Sequence, residues 1–262
     1  MLLTIDAGNT RTKWALFDDA NDIVWQGVCT NQEVANAMLL PANTVCTRAI
    51  VANVAGEQHA QQIATLLKKH AVENVHWAKA SPRACNVINS YEKPETLGID
   101  RWAALVAAWY MEQNICVVVN AGTAITIDAL GKQLENGQEM GLFKGGVIVP
   151  GLLAMQQALS AATAQLPMPI PSDHKNIHFQ REIFAKNTAE AMHAGAIHAI
   201  SGAITIMSHK LNSIYKSRPR VILSGGNAQY IKENLIADVT RQAVIVDNLV
   251  LHGLQLIEKD AQ

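Results

Sequence analysis

The chain has little of what would mark a secreted, membrane-bound or nucleic-acid-binding protein. It has four cysteines in 262 residues, Cys29, Cys46, Cys85 and Cys116. They form no C-x-x-C pair and no zinc-ligand spacing, which predicts free, mostly buried thiols in a reducing compartment. No apolar run reaches the roughly 20 residues that a membrane helix needs. No positively charged segment followed by an apolar one opens the sequence. The net charge is −1 and no long basic run stands out, whereas nucleic-acid binders usually carry a basic face. The two common nucleotide fingerprints, G-x-G-x-x-G and G-x-x-x-x-G-K-[ST], are both missing. These absences lead to the expectation of a soluble cytoplasmic protein with no membrane and no nucleic-acid partner.

What is present is core-forming material. Hydrophobic residues make up 49% of the chain and charged residues 16%, enough for one large domain or two small ones. One pattern occurs twice. Ile5-Asp6-Ala7-Gly8-Asn9-Thr10 runs on into Arg11-Thr12-Lys13-Trp14, and Val119-Asn120-Ala121-Gly122-Thr123-Ala124 runs on into Ile125-Thr126-Ile127-Asp128. Each is an apolar strand, an Asp or Asn, Ala-Gly, a hydroxyl-bearing turn and a second alternating strand. Glycine turns with exposed backbone N–H groups and hydroxyls suit phosphate. Two related domains facing each other across a cleft would hold the two ends of a triphosphate, which points to phosphoryl transfer.

The periodicity predicts antiparallel strands over 2–6, 12–18 and 22–29, a helix around 31–40 and a strand over 47–54. It then predicts an amphipathic helix over 57–70 and a short strand over 74–78. Residues 80–97 read as a loop over the cleft, and Gly98-Ile99-Asp100 opens an Ala- and Trp-rich helix. In the second half, strands are expected over 116–120, 124–130 and 143–151, with a turn at 133–139. A helix over 152–162 leads to an extended Pro-rich loop at 167–171. Asn187-Thr188 caps a long helix reaching about Tyr215, and a strand–helix pair, a strand and a final helix follow. The plan is a duplicated α/β architecture with mixed sheets. Its domains are 1–113 and 114–262, with the last helix able to pack back on the first domain.

Asp6, at a strand end where Asp has poor propensity, has the chemistry to hold Mg²⁺ directly or through water. Asn9, Thr10 and Lys13 add polar groups and a cation for phosphate oxygens, and Thr123 is the phosphate-facing hydroxyl of the second turn. Ordinary turn chemistry accounts for the same residue types. Asp100, at a helix start, reads as a cap or as the acceptor of an attacking hydroxyl's proton, with Arg101 beside it for a carboxylate or phosphoryl group. Phosphoryl transfer through a loose transition state asks for positioning more than for a strong base. Ser224-Gly225-Gly226-Asn227, between a strand and a helix, lets a flat ring approach the backbone, and it also reads as a plain strand-to-helix turn. The nine histidines are assigned to structure or surface, including the pair His174 and His178.

Asp6-x-Gly8-Asn9-Thr10, Gly98-x-Asp100-Arg101, Gly122-Thr123-Ala124-x-Thr126-x-Asp128, Gly145-Gly146-x-Ile148-x-Pro150-Gly151 and Asn187-Thr188 together resemble the type III pantothenate kinases. The set runs from Asp6 to about Ala228, and five motifs in this order are specific where each alone is weak. The resemblance implies actin-like, ribonuclease H-like domains with an ATP cleft between them. It implies a homodimer that phosphorylates pantothenate with ATP and Mg²⁺, the first step of coenzyme A synthesis. It assigns ATP binding to Asp6, Ala7, Gly8, Asn9, Thr10, Arg11, Thr12, Lys13 and Thr123; the reading of the Ser224–Asn227 turn adds Gly225 and Gly226 for the adenosine. Asp100 becomes the proton acceptor. Pantothenate falls to Tyr91, Gly98, Ile99, Asp100, Arg101 and Thr188. One position departs from the pattern. Family members commonly carry an Asp that holds K⁺ or NH₄⁺ where this chain has Asn120, which predicts a weakened, altered or absent monovalent-cation site. Two other readings stand beside the kinase: a different small-molecule kinase of the superfamily, and a regulatory protein of the same fold that has lost catalysis.

Overall fold

The computed structural model describes residues 1–163, 166 and 184–261. The Pro-rich stretch at 167–171, His174 and His178 lie outside the described residues. The chain divides into two compact units: 1–113 with 133–143 and 248–262, and 114–132 with 144–247. The boundary after Gln113 is therefore joined by further crossings, at a hairpin tip and before the last helix.

The first unit opens with β1 (Leu2–Ala7), β2 (Arg11–Phe17) and β3 (Ile23–Thr30), followed by β4 (Arg48–Asn53), α1 (Glu57–Lys69) and β5 (Asn74–Trp77). Short strands β6 (Arg83–Ala84) and β7 (Val87–Asn89) lead into α2 (Ile99–Glu112). The sheet order is β3-β2-β1-β4-β5, antiparallel from β3 to β1 and parallel beyond. α1 is amphipathic: Ile63, Leu66 and Leu67 pack with Leu3, Ile5, Trp14 and Val51 on one side of the sheet. From Trp102 to Trp109 α2 is apolar and buried around its whole circumference, as expected for a helix enclosed by protein. The last helix, Leu249–Asp260, packs against α2 so closely that a Cβ on Gly253 would lie 1.8 Å from the carbonyl oxygen of Ala103.

Two expectations for this unit are corrected. The helix expected over 31–40 is a single 3-10 turn at Val34–Asn36, because the Asn31 side chain is engaged by the first hairpin and does not cap a helix. Residues 80–97 are not plain loop. They contain the β6–β7 pair and a 3-10 turn at Pro94–Thr96, organised around the buried Asn89. The Asn89 amide donates to the carbonyls of Ser81 and Pro94 and accepts from the Tyr91 N–H at 3.1 Å.

The second unit is built on β8 (Cys116–Ala121), β9 (Ala124–Glu135), β10 (Gln138–Pro150), α3 (Leu152–Ala162) and α4 (Thr188–Tyr215). β11 (Arg220–Ser224), α5 (Ala228–Glu233), α6 (Ala237–Thr240) and β12 (Ala243–Ile245) complete it. Its strands run β10-β9-β8-β11-β12, with β8–β9 antiparallel and β8–β11–β12 parallel. This is the strand order of the first sheet repeated. Val117, Val119, Ile125, Ile127, Val221 and Leu223 pack with Ile197, Ile200 and Ile204 of α4. The Asn187 side chain caps α4 by accepting from the Glu190 N–H at 2.9 Å. The turn expected at 133–139 narrows to Asn136-Gly137, both at positive φ, as a two-residue hairpin turn requires. β9 and β10 run on through the rest of that stretch, and Gly141–Phe143 pair with β7 in the first unit.

Candidate active site

The site residues of the first unit start from strand register. Asp6 and Lys13 are opposed Cα partners on β1 and β2, so their side chains share a face. Burial pushes the Asp6 carboxyl up to about 7, the negative charge of Asp100 adds to the rise, and Lys13 opposes it. A buried carboxylate pressed by a second one is a place where a cation would be welcome. The turn between the strands is closed by the Gly8 N–H donating to the Arg11 carbonyl at 3.1 Å. Asn9, Thr10 and Arg11 are exposed on it. Ala7 and Thr12 are buried, and the Thr12 hydroxyl meets Asn31 and His59.

Asp100 sits in the first turn of α2, where the helix N-terminus favours negative charge. Its Oδ1 accepts from the Arg101 N–H at 2.9 Å. Burial raises its pKa, while that hydrogen bond and the Arg101 guanidinium pull the other way. Gly98 is the residue before the helix, and a Cβ there would lie 2.6 Å from Asp100 Oδ1. Ile99 turns its side chain into the core. Arg101 is buried and donates from Nη1 to the Tyr91 hydroxyl at 3.0 Å. Its guanidinium carbon lies 5.8 Å from the centres of both the Tyr91 and Phe143 rings, within cation–π range. Asp6, Lys13, Tyr91, Asp100 and Arg101 thus belong to one unit, with Asp6 and Asp100 electrostatically coupled.

Sequence reasoning missed two supports of this group. Phe143 is fully buried, stacks at 5.2 Å on Tyr91, and accepts from the Ser90 hydroxyl through its carbonyl. Asn89 shapes the segment that carries Tyr91. An aromatic residue ahead of Gly145-Gly146 was the available signal for Phe143; Asn89 had none.

In the second unit, the turn Gly122-Thr123 is one residue shorter than its counterpart, and Thr123 is exposed on it. The Gly151 N–H donates to the Thr123 carbonyl at 3.0 Å, and a Cβ on Gly151 would lie 2.5 Å from that oxygen. The Pro-Gly end of β10 therefore braces this turn. Asn120 is paired with Thr126 on β9 and Ser224 on β11, a polar but uncharged trio of positions. Gly225 has φ +100°, and a Cβ there would come within 2.7 Å of the Ala121 carbonyl oxygen, so only glycine lets β11 turn beside β8. Nothing lies within 4 Å of the Cβ position of Gly226, which leaves an open face. Thr188 is exposed at the first residue of α4. Among the described residues no group of three metal-ligating side chains occurs, and no helix is long and apolar enough to cross a membrane.

A family model described as type III pantothenate kinase matches residues 2–210. A type III pantothenate kinase of Nitrosomonas eutropha is 39% identical, the match covering 98% of this chain and 94% of that one. Those of Nitrosospira multiformis and Methylobacillus flagellatus are each 36% identical over nearly all of both chains. Among solved structures, a Baf family protein from Campylobacter jejuni aligns with a TM-score of 0.59 at 20% identity, covering 99% of this chain and 98% of that one. The Lmo2764 protein of Listeria monocytogenes aligns at 0.52 and 12% identity, over 100% and 99% of the two chains. At such identities these two speak for the fold alone, a duplicated architecture of mixed α/β sheets.

Proposed function

This chain belongs to the type III pantothenate kinases, and we infer that it transfers the γ-phosphoryl group of ATP to pantothenate, giving 4′-phosphopantothenate at the entry to coenzyme A synthesis. The observation that carries the reading is the Asp100–Arg101–Tyr91 group in one unit with the coupled carboxylate of Asp6.

The roles divide by chemistry. Asp100 takes or orients the proton of the pantothenate hydroxyl as it attacks, and a carboxyl with a raised pKa is the better acceptor for it. Arg101 pairs with the pantothenate carboxylate, with Tyr91, Gly98 and Ile99 completing that subsite, and the Thr188 hydroxyl is a further pantothenate ligand by the family pattern. The backbone of Ala7 to Thr12 with Asn9, Thr10 and Lys13, and Thr123 on the second turn, meet phosphate oxygens. Gly225 and Gly226 admit the adenosine. Mg²⁺ carried on ATP neutralises phosphate charge, and Asp6 is the residue whose buried carboxylate suits it. Asn120 supplies a neutral carbonyl where a monovalent cation would want a carboxylate, so K⁺ or NH₄⁺ activates weakly or not at all.

The enzyme acts in the cytoplasm as a homodimer, and α4 supports the second part. From Ala191 to His209 it carries no Asp, Glu, Lys or Arg, yet Ala191, Gly195, His198, Ala199 and Ile206 are exposed. A second copy is the partner that would cover such an uncharged face.

The test is ADP release with pantothenate and MgATP, with and without potassium, for the parent and Asp100→Asn. Pantothenate-dependent turnover that the variant loses supports the assignment. ATP binding without turnover under any condition overturns it.

A further inference from the structure

Asn31, immediately after β3, directs three polar groups at the first hairpin. Its backbone N–H donates to the Thr10 carbonyl at 3.1 Å. Its Nδ2 donates to the Gly8 carbonyl at 2.9 Å, and its Oδ1 accepts from the Thr12 hydroxyl at 3.0 Å. The Gly8 oxygen can only accept, so the amide faces one way and Oδ1 is left for Thr12. The Thr12 hydroxyl has one proton and gives it to Asn31. The His59 Nε2, 2.8 Å from the same hydroxyl, must then carry a proton and donate. His59 Nδ1 faces the end of the Gln62 side chain at 3.2 Å. With the proton on Nε2, Nδ1 accepts, and the Gln62 amide turns its NH2 toward the ring to donate. Thr12 and His59 are buried, at 0% and 6% exposure, so water does not compete for these bonds.

A planar trans peptide sends its C=O and the next N–H in opposite directions. Fixing the Gly8 carbonyl on Asn31 therefore turns the Asn9 N–H to the far side of that peptide. We propose that Asn31, set by Thr12 and His59, is a positioning residue that presents the first turn's backbone to ATP phosphate. The inference rests on the kinase reading of that turn. It adds residues from β3's end and from α1 that lie outside the turn's own motif.

The experiment measures calorimetric binding of MgADP and a non-hydrolysable MgATP analogue to the full-length chain. It compares the parent with Asn31→Ala, His59→Leu and His59→Gln, alongside steady-state constants for both substrates. Asn31→Ala is expected to weaken analogue binding about tenfold, the scale of two lost hydrogen bonds, with KM for pantothenate within about twofold. His59→Leu is expected to weaken it severalfold, and His59→Gln, which restores a donor toward Thr12, to recover most of that loss. A folded Asn31→Ala chain that binds the analogue like the parent overturns the proposal. So does an equal loss for both substrates tracking a fall in melting temperature. If Asn31→Ala does not fold, the His59 pair decides, and no difference between Leu and Gln there overturns it. A parent that binds nucleotide but does not turn over pantothenate defeats the kinase reading and leaves the nucleotide-binding comparison standing.

Discussion

The Arg101 Nη1 donates to the Tyr91 hydroxyl at 3.0 Å, and the guanidinium carbon stands 5.8 Å from the centre of the same ring. The pair fixes the plane of a cation that would otherwise have several rotamers. Tyr91→Phe keeps the ring and loses the acceptor. It should raise KM for pantothenate roughly fivefold, near 1 kcal/mol, with little change in kcat. Arg101→Lys should do more harm, since an ammonium has no planar fork. Steady-state kinetics with pantothenate varied at saturating MgATP would separate the two.

Asp6 gives a pH dependence with a definite sign. Its folded value of about 7 lies above its ordinary 3.8, so folding favours the protonated form. The stability this contributes is complete below about pH 4 and is lost as pH rises through about 7. Asp6→Asn should therefore gain stability relative to the parent between pH 5 and 8, in the absence of nucleotide. Binding of MgATP runs the other way, because the ionised form is the one that suits a cation. The apparent kcat/KM for MgATP should rise with pH through about 7, a value belonging to the Asp6–Asp100 pair together. Thermal melts and pH–rate profiles of both proteins would check the two slopes.

Asn120→Asp restores charge among Thr126 and Ser224, its strand partners. Activation by potassium should be slight in the parent and several-fold in the variant. Equal, strong activation of both would remove the role given to the missing charge.

Gly253 faces backbone, which cannot swing aside. A Cβ there would lie 1.8 Å from the Ala103 oxygen and 2.4 Å from its carbon. Gly253→Ala should destabilise the chain by roughly 2–3 kcal/mol through overpacking. Gly195→Ala is the control, since nothing lies within 4 Å of its Cβ position on the same kind of element. Urea unfolding should place the two far apart.

Ile206 is 69% exposed toward the C-terminal end of the uncharged face of α4. Ile206→Arg should turn a dimer into a monomer in sedimentation velocity while leaving the melt of the monomer nearly unchanged. A monomeric parent would remove that face from consideration.

Much of the fold was legible because its periods are clean. β8 is a continuous apolar run, α1 has a single apolar side, and Asn187 announces α4 as a cap. The errors share one feature, polar residues held by specific partners where the sequence suggests a solvated loop or a cap. Asn31 resembles a helix cap, yet its partners are Gly8, Thr10 and Thr12, about twenty residues back. Gln133 to Glu139 resembles a turn because it is polar, yet most of it forms a ladder around Asn136-Gly137. The charged residues of the candidate site stood out by their placement at turns and a helix start. Phe143 and Asn89 did not, because their work is to hold Arg101 and Tyr91, and only packing reveals it.

The closure of the first unit by Leu249–Asp260 bears on how the chain is made. During synthesis α2 emerges well before its partner helix, with residues 114–247 between them. Until then the surface around Ala103 stays bare, while the whole of residues 114–247 is translated and free to fold. The first unit thus begins before the second yet cannot be completed until Leu249–Asp260 has been made, and the growing chain carries an uncovered apolar face of α2 while residues 114–247 are translated. Ribosome stalling before Gly253, or loss of the final helix, would therefore expose α2 to chaperones and aggregation, however sound the residues of the active site.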